Sequence, residues 1–311
     1  MSERARARHV AFSDLGRQTS DLSRNAILPL IRLALREDAA GRDATSRAVL
    51  SSTTRIRARI IAKSPGILAG GHVAVWTFQA MDPRLRCVLT RRDGAALAGG
   101  QTILTVEGRA RSIFAAERTA LNFLGHLSGV ATLTRQFIRR AGSSRVKILD
   151  TRKTLPGLRA LEKHAVRVGG GQSHRANLQE AILIKTNHLR AISRQQSAIS
   201  QAIREAVQCA KRQARKKFIE IEVTNLQQLK IALEAKPDAI LLDNWQLSDI
   251  RKAVAFRHSS LITHHSSPLL EVSGSVTLAN VRAIAKTGVD RISIGRLTHS
   301  APSLDLSLEV C

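Results

Sequence analysis

The chain has 311 residues, 43% of them hydrophobic, enough for a real core in one large domain or two ordinary ones, which excludes disorder as the overall state. Its formal net charge of +25 favours polyanions such as nucleic acid, membrane phosphate or phosphorylated metabolites, but the basic residues are scattered and there is no Tyr, so solvated Arg-rich faces are the simpler reading and nucleic acid is not the expected partner. Cys87, Cys209 and Cys311 have no CxxC spacing, which excludes a disulfide framework or zinc site, and no apolar run of spanning length or leader segment points to a membrane or to secretion; a reducing cytoplasm fits.

Residues 1–25 read as a basic flexible extension. From Ala26 to Arg36 the apolar residues recur with a helical period, and "EDAAGRDAT" follows as a polar, Gly-containing turn. "TTRIRARIIAK" alternates as a strand, "GILAG" is a tight turn into the next element, and "QTILTVEGRA" is a second strand with a Gly stop. The stretch Ser112–Arg140 is helical, with Ile113, Leu121, Leu124, Leu127 and Val130 on its apolar face and Ser128-Gly129 offering a break.

After residue 145 the texture changes. The short runs "VKILD", "AILIK", "FIEIEV", "AILLDN", "LLEVSG" and "RISIG" alternate with helical patterns such as "NLQQLKIALEA" and "TLANVRAIAKTG", which start on Ser, Thr or Asn. Six strand-helix units in succession predict an α/β fold with a parallel sheet, either open and doubly wound or closed as a barrel. The run ends carry polar residues: Asp150 to Lys153, Lys185, Glu222 near an end, Asp243, Ser273-Gly274 and Gly295. In an α/β barrel the carboxyl ends of the strands build the active site, so these residues are expected to converge on one mouth. Arg offers a planar fork for a carboxylate or phosphate, Lys a compact charge, and Gly lets backbone N–H groups approach phosphate oxygens. Glu222 and Asp243 can hold Mg2+, directly or through water, or bond sugar hydroxyls. No GxxxxGK[ST] is present, and "GGGQSH" lacks the GxGxxG spacing. The His264-His265 pair has no third ligand at suitable spacing and reads as loop.

"LDTRKTLPGLRALEKHAVRVGGGQSHR", "LIKTNH", "IEIEVTNLQQL", "AILLDN", "LEVSGSVTLANVRAIAKTGVDRISIG" and "LTHSAPSLDLSL" resemble, in order, the motifs of the quinolinate phosphoribosyltransferase family. "LREDAAGRDATS", "GILAG" and "ERTALNFLGHLSGVATLT" resemble that family's N-terminal half, so the likeness runs from about Ala26 to Leu308. It implies an N-terminal α/β sandwich at 26–140 with a helical connection, and an incomplete six-stranded parallel α/β barrel at 141–311 whose C-terminal segment packs back on the N-terminal domain. It also implies a homodimer and transfer of a phosphoribosyl group from phosphoribosyl pyrophosphate to quinolinate, giving nicotinate mononucleotide, pyrophosphate and CO2 with Mg2+ as the cofactor.

By the same resemblance, Arg152 and Arg175, with Arg118 from the neighbouring subunit, grip the two quinolinate carboxylates, and Thr151 and His174 line that pocket. Lys153 and Lys185 border both substrates, Glu222 and Asp243 face the ribose and the metal, and Ser273, Gly274 and Gly295 cradle the 5'-phosphate. The chain departs from the family pattern at Ser173, commonly Asn, at Val168, usually Cys, and at Thr186, where an acidic residue is usual; the basic stretch 190–217 is also longer than typical. Two other readings carry tests of their own. A polyanion-binding relative without turnover predicts affinity that falls steeply with salt. A paralogue with another substrate, such as nicotinate, would have less use for three carboxylate-gripping arginines.

Overall fold

The computed structural model describes residues 22–142, 145–193, 199–214, 216–259 and 267–311. The extension at 1–25 lies almost wholly outside the described residues, as do His264 and His265. The first part of the chain forms α1 (Arg24–Glu37), α2 (Ala44–Val49), β1 (Arg55–Ala62), β2 (Gly66–Ile67), α3 (Gly71–Met81), β3 (Arg86–Leu89), β4 (Ala96–Leu97), β5 (Thr102–Arg109) and α4 (Ala110–Ala141). There follow β6 (Lys147–Leu149), α5 (Arg159–Val168), β7 (Ile182–Ile184), α6 (Thr186–Ile192), α7 (Ile199–Gln213), β8 (Ile219–Val223), α8 (Leu226–Ala235) and β9 (Ala239–Asp243). The chain ends with α9 (Leu247–Ser259), β10 (Leu269–Ser273), α10 (Val281–Ala285), β11 (Arg291–Ser293), α11 (Arg296–His299) and β12 (Leu306–Val310).

These elements fold into two compact units, and the division is not one cut in sequence. One unit holds residues 22–135, Thr154–Gly170 and Arg296–Cys311; the other holds Gln136–Lys153 and Gly171–Gly295. The sequence reading assigns 141–311 to the barrel with its C-terminal segment packing back on the N-terminal domain; β12 pairs with β1, and α5 and α11 also group with the first unit. The reason is visible for α5. Its buried Glu162 bonds His126 of α4 (2.8 Å), and its His164 bonds Asp93 (3.1 Å). Asp93 in turn accepts from the Gly70 and Gly71 N–H groups at the start of α3 (2.8 and 2.9 Å). Burial works to raise the Asp93 pKa, but His164 and the two backbone donors outweigh it and leave the carboxyl below its ordinary value.

In the first unit an antiparallel sheet runs in the order β12-β1-β5-β3. Strand alternation sorts its residues: Ala58, Ile60, Leu104 and Val106 are buried on one face, while Arg55, Arg57, Arg59, Arg86 and Arg109 are exposed on the other. Helix α4 passes Ser128-Gly129 without a break. Ser128 Oγ is committed to tertiary structure, accepting from the Ala69 N–H (3.1 Å) and donating to the Ala69 carbonyl (3.2 Å). Gly129 is required because a Cβ there would collide with the Pro302 carbonyl oxygen, and at Gly125 a Cβ would lie 2.9 Å from the Leu304 carbonyl oxygen. The Ser and the two glycines form a seat for neighbouring chain, so packing overrides the local helix-breaking signal.

In the second unit six parallel strands run in the order β6-β11-β10-β9-β8-β7. All six apolar runs of the sequence supply a strand, giving the incomplete barrel sheet expected. Residues paired across parallel strands share a face, so the register sorts the side chains. Ile148, Ile292, Leu270, Val272, Ile240, Leu242, Ile221, Val223, Ile182 and Ile184 form one wholly aliphatic face. The helices of this unit supply matching apolar residues, among them Val207, Leu229, Ala232, Ile250, Ala253 and Val281. The other face carries Lys147, Arg291, Glu271, Ser273, Asp243, Glu220 and Glu222. Beyond β6 the sheet continues as a single bridge between Leu149 and Gln172, closed by Asp150 N–H to Gln172 O (3.1 Å) and Gln172 N–H to Ile148 O (2.8 Å).

Candidate active site

The polar face of the parallel sheet is layered. At the amino ends of the strands Ala181, Phe218 and Ala239 form a small apolar cluster with Leu269 packed against it, and the Arg291 guanidinium lies over the Phe218 ring at 5.0 Å from its centroid. One layer along sit His174, Glu220 and Glu271, exposed by 7, 1 and 0%. His174 Nδ1 accepts from the Arg175 N–H (2.8 Å), which puts the ring proton on Nε2, and Nε2 donates to Glu220 Oε2 (2.9 Å) with Glu271 Oε1 at 3.6 Å. The His174 N–H is held by Asp150 Oδ1 (2.8 Å), so both backbone and ring of His174 are fixed. Burial, and then the charge of Glu220, push Glu271 up to about 7, with His174 opposing. These three side chains are close enough to surround an ion. The Nε2 proton is directed to Glu220, whereas neither Glu271 oxygen has a hydrogen-bond partner among the described residues, so one hydrogen bond, His174 to Glu220, holds the trio and the Glu271 carboxyl is buried beside it.

Arg175 is buried, and its Nη1 donates to the Ala181 carbonyl (3.0 Å). Its pKa is depressed first by burial and then by the like charge of Arg152, with Glu220 opposing, so the two guanidiniums predicted to act together are neighbours. Thr151 Oγ1 accepts from the Lys153 N–H (3.1 Å) and shapes the turn that presents Arg152 and Lys153.

The carboxyl ends of the strands hold the next group. Asp243 is raised above the usual carboxylate range by burial and then by Glu222, while Asn244, Lys153 and Lys185 pull it down; four of the predicted groups therefore share one electrostatic neighbourhood. Glu222 Oε1 accepts from the Thr186 hydroxyl (2.6 Å) and the Thr186 N–H (3.1 Å). Ser273 is the direct register partner of both Asp243 and Ser293, and Gly295 lies two residues past Ser293. At Gly274 the backbone is left-handed (φ 88°), and a Cβ would collide with Asn244 Oδ1, so glycine is required there. Asn244 is itself left-handed (φ 58°) and bonds both Asp243 Oδ2 (3.1 Å) and the Ser273 carbonyl (2.9 Å), locking the ends of β9 and β10 together.

All the predicted site residues except Arg118 thus fall in the second unit, on its polar face or at the carboxyl ends of its strands. Arg118 is exposed on α4, in the first unit. Glu220, Glu271 and Arg291 were not singled out from the sequence, whereas Asp150 was named as a strand end and here holds the His174 backbone. The signal was there in "FIEIEV", where Glu220 and Glu222 alternate onto one face, and in the two-residue steps Glu271 to Ser273 and Arg291 to Ser293. Chemically the arrangement offers a cationic pocket for carboxylates beside a pair of acids and two lysines. Glu222 and Asp243 are hard oxygen donors whose mutual repulsion a divalent cation would relieve, so this residue set fits Mg2+.

Residues 43–128 match the N-terminal domain of the family described as quinolinate phosphoribosyl transferase, and residues 130–309 match its C-terminal domain. The chain is 39% identical over 294 residues to the nicotinate-nucleotide pyrophosphorylase [carboxylating] of Mycobacterium leprae, covering 94% of this chain and 99% of that one. It is 38% identical to the probable enzyme of the same name from Bacillus subtilis, over 88% of this chain and 90% of that one. Among solved structures, the nicotinate-nucleotide pyrophosphorylase from Francisella tularensis superposes with a TM-score of 0.84 at 36% identity, over 94% and 99% of the two chains.

Proposed function

The chain belongs to the quinolinate phosphoribosyltransferase family and transfers a phosphoribosyl group to quinolinate with decarboxylation, a step of NAD biosynthesis, and we propose that it does so at the charged mouth of its parallel sheet. The observation that carries this assignment of the site is the pair of neighbouring guanidiniums, Arg152 and Arg175, whose mutual repulsion a dicarboxylate relieves. Thr151 and His174 line the same pocket. Arg118 of a second subunit completes the grip in a homodimer.

In this reading the grip on the two carboxylates aims the pyridine nitrogen at the ribose C1 of phosphoribosyl pyrophosphate. The N–C1 bond forms as the bond from C1 to pyrophosphate breaks. Glu222 and Asp243 stabilise the positive charge that develops on the sugar, Lys153 and Lys185 offset charge on the departing pyrophosphate, and Ser273, Gly274 and Gly295 hold the 5'-phosphate. Glu222 and Asp243 are also the residues that hold Mg2+, which when bound neutralises phosphate charge. Once substituted, the ring nitrogen is cationic and its adjacent positive charge stabilises the in-plane electron pair left on C2 when the carboxylate departs as CO2; that pair then takes a proton from solvent.

Among the described residues no helix is long and apolar enough to cross a membrane. With three free cysteines, the cytoplasm is the compartment proposed. The test is an assay of the purified protein with Mg2+ and phosphoribosyl pyrophosphate. Quinolinate is consumed with release of CO2 and nicotinate is not; turnover of nicotinate alone, or of neither, rejects the reading. Mixing inactive Arg118→Ala and Arg152→Ala proteins tests the shared site. Random reassortment restores up to about a quarter of the sites if the arginines come from different subunits, and none otherwise.

A further inference from the structure

Resting on the reading that Glu222 faces the sugar, we propose that Thr186 is a positioning residue: it clamps one oxygen of the Glu222 carboxylate and so presents the other to the phosphoribosyl donor. Two donors from one residue, the hydroxyl at 2.6 Å and the N–H at 3.1 Å, converge on the same Oε1. The shorter distance is that of a charge-assisted O–H···O bond, stronger than a neutral one. The N–H is free for this because Thr186 is the first residue of α6, where no carbonyl of the helix can accept from it. The β-branched side chain has few χ1 choices, so the hydroxyl is held where the carboxylate needs it.

The neighbouring backbone is pinned as well. The Lys185 N–H donates to His188 Nδ1 (2.8 Å), so consecutive N–H groups at 185 and 186 are both tied to side chains and cannot shift along the strand end. An ionised carboxyl at 186 could not donate and would set a like charge against Glu222. With threonine there, Glu222 is oriented by a neutral donor, and its second oxygen is left for the ribose as charge develops on C1.

The test separates the two substrates. In Thr186→Val the backbone donor remains and the hydroxyl is lost, and kcat/KM for phosphoribosyl pyrophosphate is expected to fall about tenfold, the low end for a hydrogen bond to a charged group. Quinolinate dissociation, read by calorimetry, stays within about twofold, because its carboxylates are gripped elsewhere. Thr186→Ser, which keeps the hydroxyl, restores the Val loss to within about threefold of the unsubstituted protein. A Val variant with unchanged kinetics, a Ser variant as impaired as Val, or equal losses for both substrates overturns the proposal. If the unsubstituted protein itself has no turnover, the functional reading fails and this inference falls with it.

Discussion

The antiparallel sheet of the first unit and the parallel sheet of the second use the same alternation to opposite ends. In β1 the arginines at 55, 57 and 59 point to solvent and the aliphatic residues point inward, so each charge stays hydrated and the face needs no partner. In β8 to β11 the helices take the aliphatic face, and the charged residues Glu220, Glu271 and Arg291 are left on the other, almost fully buried. Charge in that position is expensive unless it is paired or bonded, and Glu271, whose oxygens have no hydrogen-bond partner among the described residues, shows the cost in a carboxyl that burial pushes up to about 7. An abundance of arginine therefore says little about function, whereas the parity of a few charges within strands says a great deal.

Substitutions on the two sheets test that contrast, and the largest effect belongs to the parallel one. Arg152→Ala is expected to weaken quinolinate binding more than about 100-fold by calorimetry, since truncating one member of a desolvated charge contact typically removes 2–5 kcal/mol. Next is Gly129→Ala, which drives a methyl into the Pro302 carbonyl and should destabilise the first unit by about 3 kcal/mol in thermal or denaturant unfolding, with quinolinate contacts untouched.

Glu271→Gln probes the buried acid through pH. Its carboxyl titrates near 7 in the folded chain against 4.5 unfolded, so between those values the folded state holds a proton that the unfolded state has lost, and stability falls as pH rises. The Gln variant mimics the protonated form. It should match the parent near pH 5 and exceed it by about 3–6 °C in Tm near pH 8; an equal or lower Tm at pH 8 would mean that Glu271 is ionised at little cost. Smallest is Arg57→Ala on the outer face of the antiparallel sheet, expected to change stability by no more than about 0.5 kcal/mol and binding not at all.

Much of the architecture was legible because the six apolar runs are rich in Ile, Leu and Val and end on charged residues or glycine, signals that are local. What stayed hidden was set by contacts distant in sequence. Ser128-Gly129 reads as a break until the chain at 302–304 is seen crossing it. The stretch 154–170 falls within the span read as barrel until Glu162 and His164 find partners at His126 and Asp93. Glu220 and Glu271 lie inside their strands and not at the ends, and their meaning lies in which way a strand residue points. Thr186 stood out as a departure from the family pattern, and its bond to Glu222 needed the fold to bring β7 beside β8.

The bridge at Gln172 has a mechanical consequence. The segment 172–175 is tied to one edge of the sheet by a single backbone bridge with β6 and to the other by the Arg175 guanidinium reaching the Ala181 carbonyl just ahead of β7. The side chain assigned to hold an anion is thus also a rivet between two stretches of backbone. A dianion seated against Arg152 and Arg175 would tighten that rivet, so the ligand should slow amide exchange along the edge strands β6 and β7 more than along β9, in the middle of the sheet.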